Sequence, residues 1–125
     1  MPGGAAIKPG DVLPWAEAIF KRRSEEFATG HPIYRCMPDI GPLQLFGIFK
    51  MLQTPGTMGI LAENGTFRNI LSDGRELPKD PNPTWQGYST AKWSGDTLVI
   101  DTIGLRDDTW IDWSGSVVTQ AAKIR

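Results

Sequence analysis

The sequence predicts a mainly β protein: an antiparallel meander forming a curved sheet or an incomplete or closed barrel, with one N-terminal amphipathic helix. Three observations carry this expectation. Short segments rich in apolar and β-branched residues recur from residue 43 onward. Turn signals built on glycine, at Pro55-Gly56, Asn64-Gly65 and Gly95-Asp96, separate them at short intervals. Only residues 14–29 carry helical signals. With 125 residues the chain supports one core, so residues 1–125 read as a single domain with a flexible start over 1–12.

Taking the elements in order, Pro14 suits the first position of a helix, and Gly30 with Pro32 suits its end. Trp15, Ile19, Phe20 and Phe27 fall broadly on one side of it, and Lys21, Arg22, Ser24, Glu25 and Glu26 on the other. The helix is therefore expected to lie with its apolar side on the core, and the second side, which mixes signs, reads as a solvated face rather than a membrane or partner surface. Residues 31–42 hold three prolines without periodicity and are expected to run extended over the surface.

Residues 43–52 are nearly continuously apolar and make the first strand, which leaves through Thr54-Pro55-Gly56 in a type II turn. Residues 58–63 and 66–71 follow as a hairpin around Asn64-Gly65, where a two-residue type I′ loop is expected because both its central residues need positive φ. The segment 76–87 has three prolines and cannot be a central strand. Residues 88–93 and 97–103 make the fourth and fifth strands, and the final segment 116–125 reads as a sixth strand over 117–124 or, since Gln120, Ala121, Ala122 and Lys123 are better helix formers, as a short helix.

Composition excludes several functions. The apolar fraction of 40% is ordinary, and a net charge of −1 gives no electrostatic footprint for nucleic acid. No run of eighteen apolar residues occurs, so no membrane insertion is expected. The start MPGGAAIKPGD lacks a signal-peptide pattern, although Met1-Pro2-Gly3-Gly4 equally fits a start placed after a removed leader. One cysteine, Cys36, cannot form an internal disulfide, and with one histidine, His31, it cannot build a zinc site. Gly-rich phosphate loops, nucleophile elbows and metal-binding histidine pairs are absent from the sequence. No cofactor and no metal are therefore expected.

The segments DGRELPKDPNPTWQGYS (73–89), WSGDTLVIDTIGL (93–105) and TWID (109–112) resemble a family of small proteins common in acidobacterial and soil metagenomic sequence. The likeness extends more weakly to LPWAEAIFKRR (13–23), to Cys36 with Pro38 and to QTPG (53–56), and so covers nearly the whole chain. No activity is established for that family. Its members carry export leaders, so the resemblance implies a periplasmic or secreted protein. Two departures stand out. Related sequences have a histidine-containing segment where this chain has Gly115-Ser116-Val117-Val118, and they continue for several strands past Arg125, which implies a shortened or fragmentary chain here.

Several residues invite a chemical role. Asp101 shares a face with Val99 and Ile103 by period-two alternation. Were that face interior, desolvation would raise the carboxyl pKa and suit it to acid–base work. The competing account points Leu98 and Ile100 inward and Asp101 out. Asp107, Asp108 and Asp112 lie beside Trp110 and Trp113, and carboxylates next to flat rings suit a sugar site. The alternative is a turn whose aspartates cap backbone amides while the tryptophans fill the core. Trp85 and Tyr88 would form an aromatic lip if the proline loop folds over a barrel mouth, or a packed lid. Trp93 joins them as a candidate ligand contact. His31 reads as a charge or hydrogen-bond donor at the helix C-terminus, Cys36 as a small buried hydrophobe, and Lys79 with Asp80 as a surface pair.

Aromatic excess without a catalytic constellation makes a binding module the leading expectation, with a small-molecule or carbohydrate ligand held by Trp85, Tyr88, Trp93, Trp110 and Trp113. A cofactor-free enzyme of glycosidase, lyase or isomerase type, using Asp101, Asp108 and Asp112, is the alternative. A structural or assembly role is the third. The unprotected apolar segment 43–52 leads to a further expectation, a homodimer in which one copy completes the sheet of another.

Overall fold

A computed structural model describes residues 12–27, 29–38, 47–112 and 115–125. The chain runs through helix α1 (Pro14–Glu25), a 3-10 turn (Pro32–Arg35) and five strands, β1 (Phe49–Thr54), β2 (Thr57–Ala62), β3 (Phe67–Leu71), β4 (Tyr88–Ser94) and β5 (Thr97–Ile103). The strands form one open sheet in the order β1-β2-β3-β4-β5, so the fold is mainly β with a curved rather than a closed sheet.

The meander is not antiparallel throughout. β1–β2, β2–β3 and β4–β5 pair antiparallel, but β3 and β4 run parallel, with Ile70 opposite Ser89 and Leu71 opposite Thr90. A hairpin turn reverses the chain, whereas the long segment 72–87 loops back to the last residues of β3, where β4 starts beside Ile70 and Leu71 and runs on in the same direction.

Each turn follows from its residues. Pro55-Gly56 links β1 to β2 with Thr54 opposite Thr57, and Gly56 takes φ +81° as the third position of a type II turn demands. Gly95, at φ +59°, is the first central residue of the β4–β5 turn, as in type II′. The β2–β3 hairpin is present, but its loop has three residues, not the two expected. Ala62 N–H donates to Thr66 O (2.9 Å), and Gly65 N–H donates to Ala62 O (3.0 Å). Asn64 keeps ordinary φ and accepts from Thr66 N–H through Oδ1 (3.0 Å), so only Gly65 needs the left-handed conformation, at φ +82°.

Residues paired in register share a face. One face holds Met58, Ile60, Ile70 and Ala91, buried as the core, with Leu98 and Ile100 against them. Leu98 and Ile100 therefore point inward and Asp101 to the opposite face. The core face also carries Arg68, only 9% exposed, whose guanidinium donates to Thr102 Oγ1 (2.9 Å) and Ser89 Oγ (3.3 Å). Burial holds that guanidinium below the usual arginine range.

Three expectations need correction. Helix α1 is shorter than residues 14–29 and is not laid on the sheet core. Glu26 caps it, and Phe27 at φ +52° turns its ring out to 89% exposure; Trp15 is also exposed and only Ala16 is buried. The helix is held instead by the segment after β5, through Arg23 Nη1 donating to Gly115 O (3.0 Å). The stretch 117–124 is not a strand: it makes isolated bridges, Val117 to Trp110 and Ile124 to Thr102, separated by a turn in which Ala122 N–H donates to Thr119 O (2.9 Å). Residues 1–11, residues 43–46 of the first expected strand and Trp113 lie outside the described residues.

Candidate functional site

The segment after β5 builds the site. Thr84 N–H donates to Gly104 O (2.9 Å) and Arg106 N–H to Thr84 O (3.2 Å), which fastens the end of the proline-rich segment alongside Leu105. This brings Trp85 next to Arg106, whose guanidinium lies 4.7 Å from the indole centroid. The chain then turns, with Thr109 N–H donating to Arg106 O (3.2 Å), and presents Asp108 back to Arg106 in a two-point ion pair at 2.7 and 2.6 Å. Those bonds are the first reason the Asp108 carboxyl sits below the ordinary aspartate value.

Trp110 follows, with its ring 3% exposed. The His31 ring meets it edge-on at 4.8 Å, and the Arg23 guanidinium stacks over it at 4.6 Å. His31 is itself fully buried and caps the 3-10 turn, its Nδ1 accepting from Ile33 N–H (3.3 Å). It serves the start of the next element rather than the end of the helix: the first amides of a helical turn lack an internal acceptor, and because Pro32 has no N–H, that of Ile33 is the first to need one.

Between α1, the 3-10 turn and this segment lies a cleft of about 280 Å³. From the helix come Arg22 and Arg23 and from its cap Glu26, from the 3-10 turn and its exit Arg35 and Met37, and from the other wall Trp85, Arg106, Asp108 and Trp110. Four guanidinium groups thus face two carboxylates. Burial first, and then the neighbouring Arg22 charge, hold Arg23 below the usual arginine range, with Asp108 opposing them. Arg22 and Arg35 have no ion-pair partner among the described residues.

Of the candidates drawn from the sequence, Trp85, Trp110 and Asp108 meet in this cleft, Trp113 lies outside the described residues, and the others are placed elsewhere. Tyr88 lines a separate groove of about 530 Å³ under the proline-rich segment, beside Leu77, Pro78 and Thr84. Trp93 is exposed near the end of β4. Asp101 is ion-paired to Arg125, Nε donating at 2.7 Å, and that bond lowers its pKa, so the desolvated carboxyl with raised pKa is not formed. Asp112 accepts from Ser116 N–H (3.2 Å) and Ser116 Oγ (2.6 Å), and Asp107 accepts from Gln120 N–H (2.7 Å). Those two aspartates hold turns, as the capping account requires. Cys36 is exposed rather than buried, at φ +55° after the 3-10 turn.

The arginines of the cleft were not singled out by the sequence, since Arg22, Arg35 and Arg106 are far apart in the chain. Arg68 had a signal: it sits two residues before Ile70, so alternation puts both on one face. Among the described residues no group of three or more His, Cys, Asp or Glu is placed to hold a metal ion, and no helix is long and apolar enough to cross a membrane. No family model, curated protein or solved structure matches the chain.

Proposed function

We propose that the protein binds a small molecule, a carbohydrate or a compound of similar size, in the cleft between α1 and the segment after β5. The observation that supports this best is convergence: Trp85 and Trp110, with Asp108, come from distant parts of the chain to one concavity together with four arginines. The volume is at the small end of ligand sites, which suits a ligand of monosaccharide size. Following the family resemblance, we place this activity outside the cytoplasm. Intrinsic fluorescence with a panel of glycans, organic acids and lipids tests the binding reading. At least one class is expected to shift or quench the emission, and Trp85→Leu, which leaves four of the five tryptophans as reporters, is expected to remove the response. Silence across the panel, or a response unchanged in Trp85→Leu, would overturn it.

Acid–base catalysis ranks second. Asp108 and Glu26 both line the cleft, but a carboxyl held ionised by Arg106 is suited to a base or nucleophile and not to proton donation. The retaining and inverting schemes need one carboxyl of each kind.

We also propose that a second copy pairs along β1. All six β1 residues are exposed, and Phe49, Met51 and Leu52 form an apolar strand whose one charge is Lys50. Sedimentation at micromolar concentration is expected to give a dimer that Met51→Lys dissociates. A concentration-independent monomer would end this reading.

A further inference from the structure

We infer that the ligand of the cleft is an anion, a carboxylate or phosphate carried on a body of monosaccharide size, gripped by Arg22 and Arg35. This rests on the binding reading above and adds the chemistry that selects the ligand.

The argument starts from what each guanidinium already does. Arg106 is committed on two sides, with its N–H groups on Asp108 and its plane over Trp85. Arg23 is committed likewise, donating to Gly115 O and stacking on Trp110. Arg22 and Arg35 line the same cleft with exposed side chains and no ion-pair partner among the described residues. Four cations against Glu26 and Asp108 leave the cleft with a formal charge of +2, on a protein whose net charge is −1. An excess of positive charge held in a concavity by committed neighbours attracts an anion, and the planar fork of arginine matches the paired oxygens of a carboxylate or phosphate.

The tryptophans contribute differently from the sugar platform expected from the sequence. Trp110 is only 3% exposed, with a guanidinium over its ring and an imidazole steeply inclined to it, so almost none of its surface is left for a ligand. Its part is to position Arg23. Trp85 is half-buried and gives the cleft its available apolar wall. Recognition therefore comes from charge, with one indole bordering the body of the ligand.

Isothermal titration of the full chain with glucuronate, glucose 6-phosphate and glucose decides the matter, because the three share a sugar ring and differ in charge. At least one of the two anions is expected to bind about tenfold or more tightly than glucose, and to weaken as sodium chloride is raised. Arg22→Ala and Arg35→Ala alter exposed side chains and are each expected to cost about tenfold in that affinity at unchanged melting temperature. Tighter glucuronate assigns the carboxylate, and tighter glucose 6-phosphate the phosphate. Glucose binding as tightly as both anions would overturn the anion inference and leave the binding reading standing. Anion binding that neither arginine variant weakens would overturn it as well. No heat from any of the three, against a positive response to an uncharged glycan of the wider panel, would reject the anion and keep the cleft.

Discussion

The first three strands and the last two share one buried core and differ in what they show to solvent. β1, β2 and β3 expose Phe49, Met51, Leu52, Leu61 and Phe67, and the Phe67 ring lies across Gly59, where an added Cβ would come within 3.0 Å of it. β4, β5 and the segment beyond expose Trp93 and, less, Tyr88, but the aspartates of β5 and the segment after it are each tied down: Asp101 to Arg125, Asp107 to a backbone amide, Asp108 to Arg106 and Asp112 to Ser116. The first region leaves its apolar side chains exposed. In the second, side chains are spent on fixing loops, and the candidate site is found there. A rigid support under a small cleft is what holding a ligand in one geometry requires.

The largest effect that would sharpen this contrast lies in the backbone of the second region. At Gly87 the chain has φ +65°, and a Cβ would stand 2.6 Å from Ile103 O and 2.9 Å from Thr102 Cγ2. Gly87→Ala is expected to destabilise the fold by about 3 kcal/mol, since strain and a backbone clash add. Gly65, at φ +82° in the hairpin loop, has open space around it. Gly65→Val is therefore expected to cost about 1.5 kcal/mol, from conformation alone. Urea denaturation of both variants measures the difference, and a Gly65→Val variant as unstable as Gly87→Ala would contradict it. Next in size, Met51→Lys is expected to change the stability of the isolated chain by less than about 0.5 kcal/mol, because an exposed edge position makes no core contact. A clear loss of stability at concentrations where the chain is monomeric would show that β1 is already covered.

The smallest effect is electrostatic. Asp73, Asp101 and Asp108 are held below the ordinary value of 3.8, in each case first by hydrogen bonds from an arginine. A depressed folded-state pKa contributes stability above the unfolded value, and that stability is lost as pH falls through the folded value. Wild-type melting temperature is thus expected to exceed that of Arg125→Gln slightly at neutral pH, with the gap closing as the pH falls below 3.8. The gap is small because the pair is exposed and screened. A gap that persists at pH 2 would mean that Arg125 acts through packing.

Much of the sheet was legible because its signals are local. β5 begins at Thr97 and ends at Ile103, as the β-branched run between Gly95-Asp96 and Gly104 implies. Pro55-Gly56 gave the right turn because proline fixes φ at the first central position and glycine tolerates the positive φ of the second. Asn64-Gly65 gave the right hairpin and the wrong loop length, since asparagine satisfied its neighbour's amide without adopting positive φ. The parallel pairing was not legible, because segment 72–87 has turn residues without a period and says nothing of where it delivers the chain. The site was half legible for the same reason. Tryptophans and aspartates stand out by type, while the arginines acquire meaning only when α1 is laid against the segment after β5. Arg22 on a helix of mixed charge looks like any solvated residue.

The short parallel seam between β3 and β4 has a kinetic consequence. Every other pairing in the sheet joins neighbours across a tight turn, whereas this one requires the segment 72–87 to close before two pairs of residues can meet. Loop closure is paid in full before such a contact returns anything. The two halves of the sheet are therefore the natural early units of folding, and their meeting at Ile70 and Ser89 completes both the core and the buried Arg68 network. The proline-rich segment that brings them together also sets Trp85 against Arg106, so the same closing step that finishes the fold assembles one wall of the cleft.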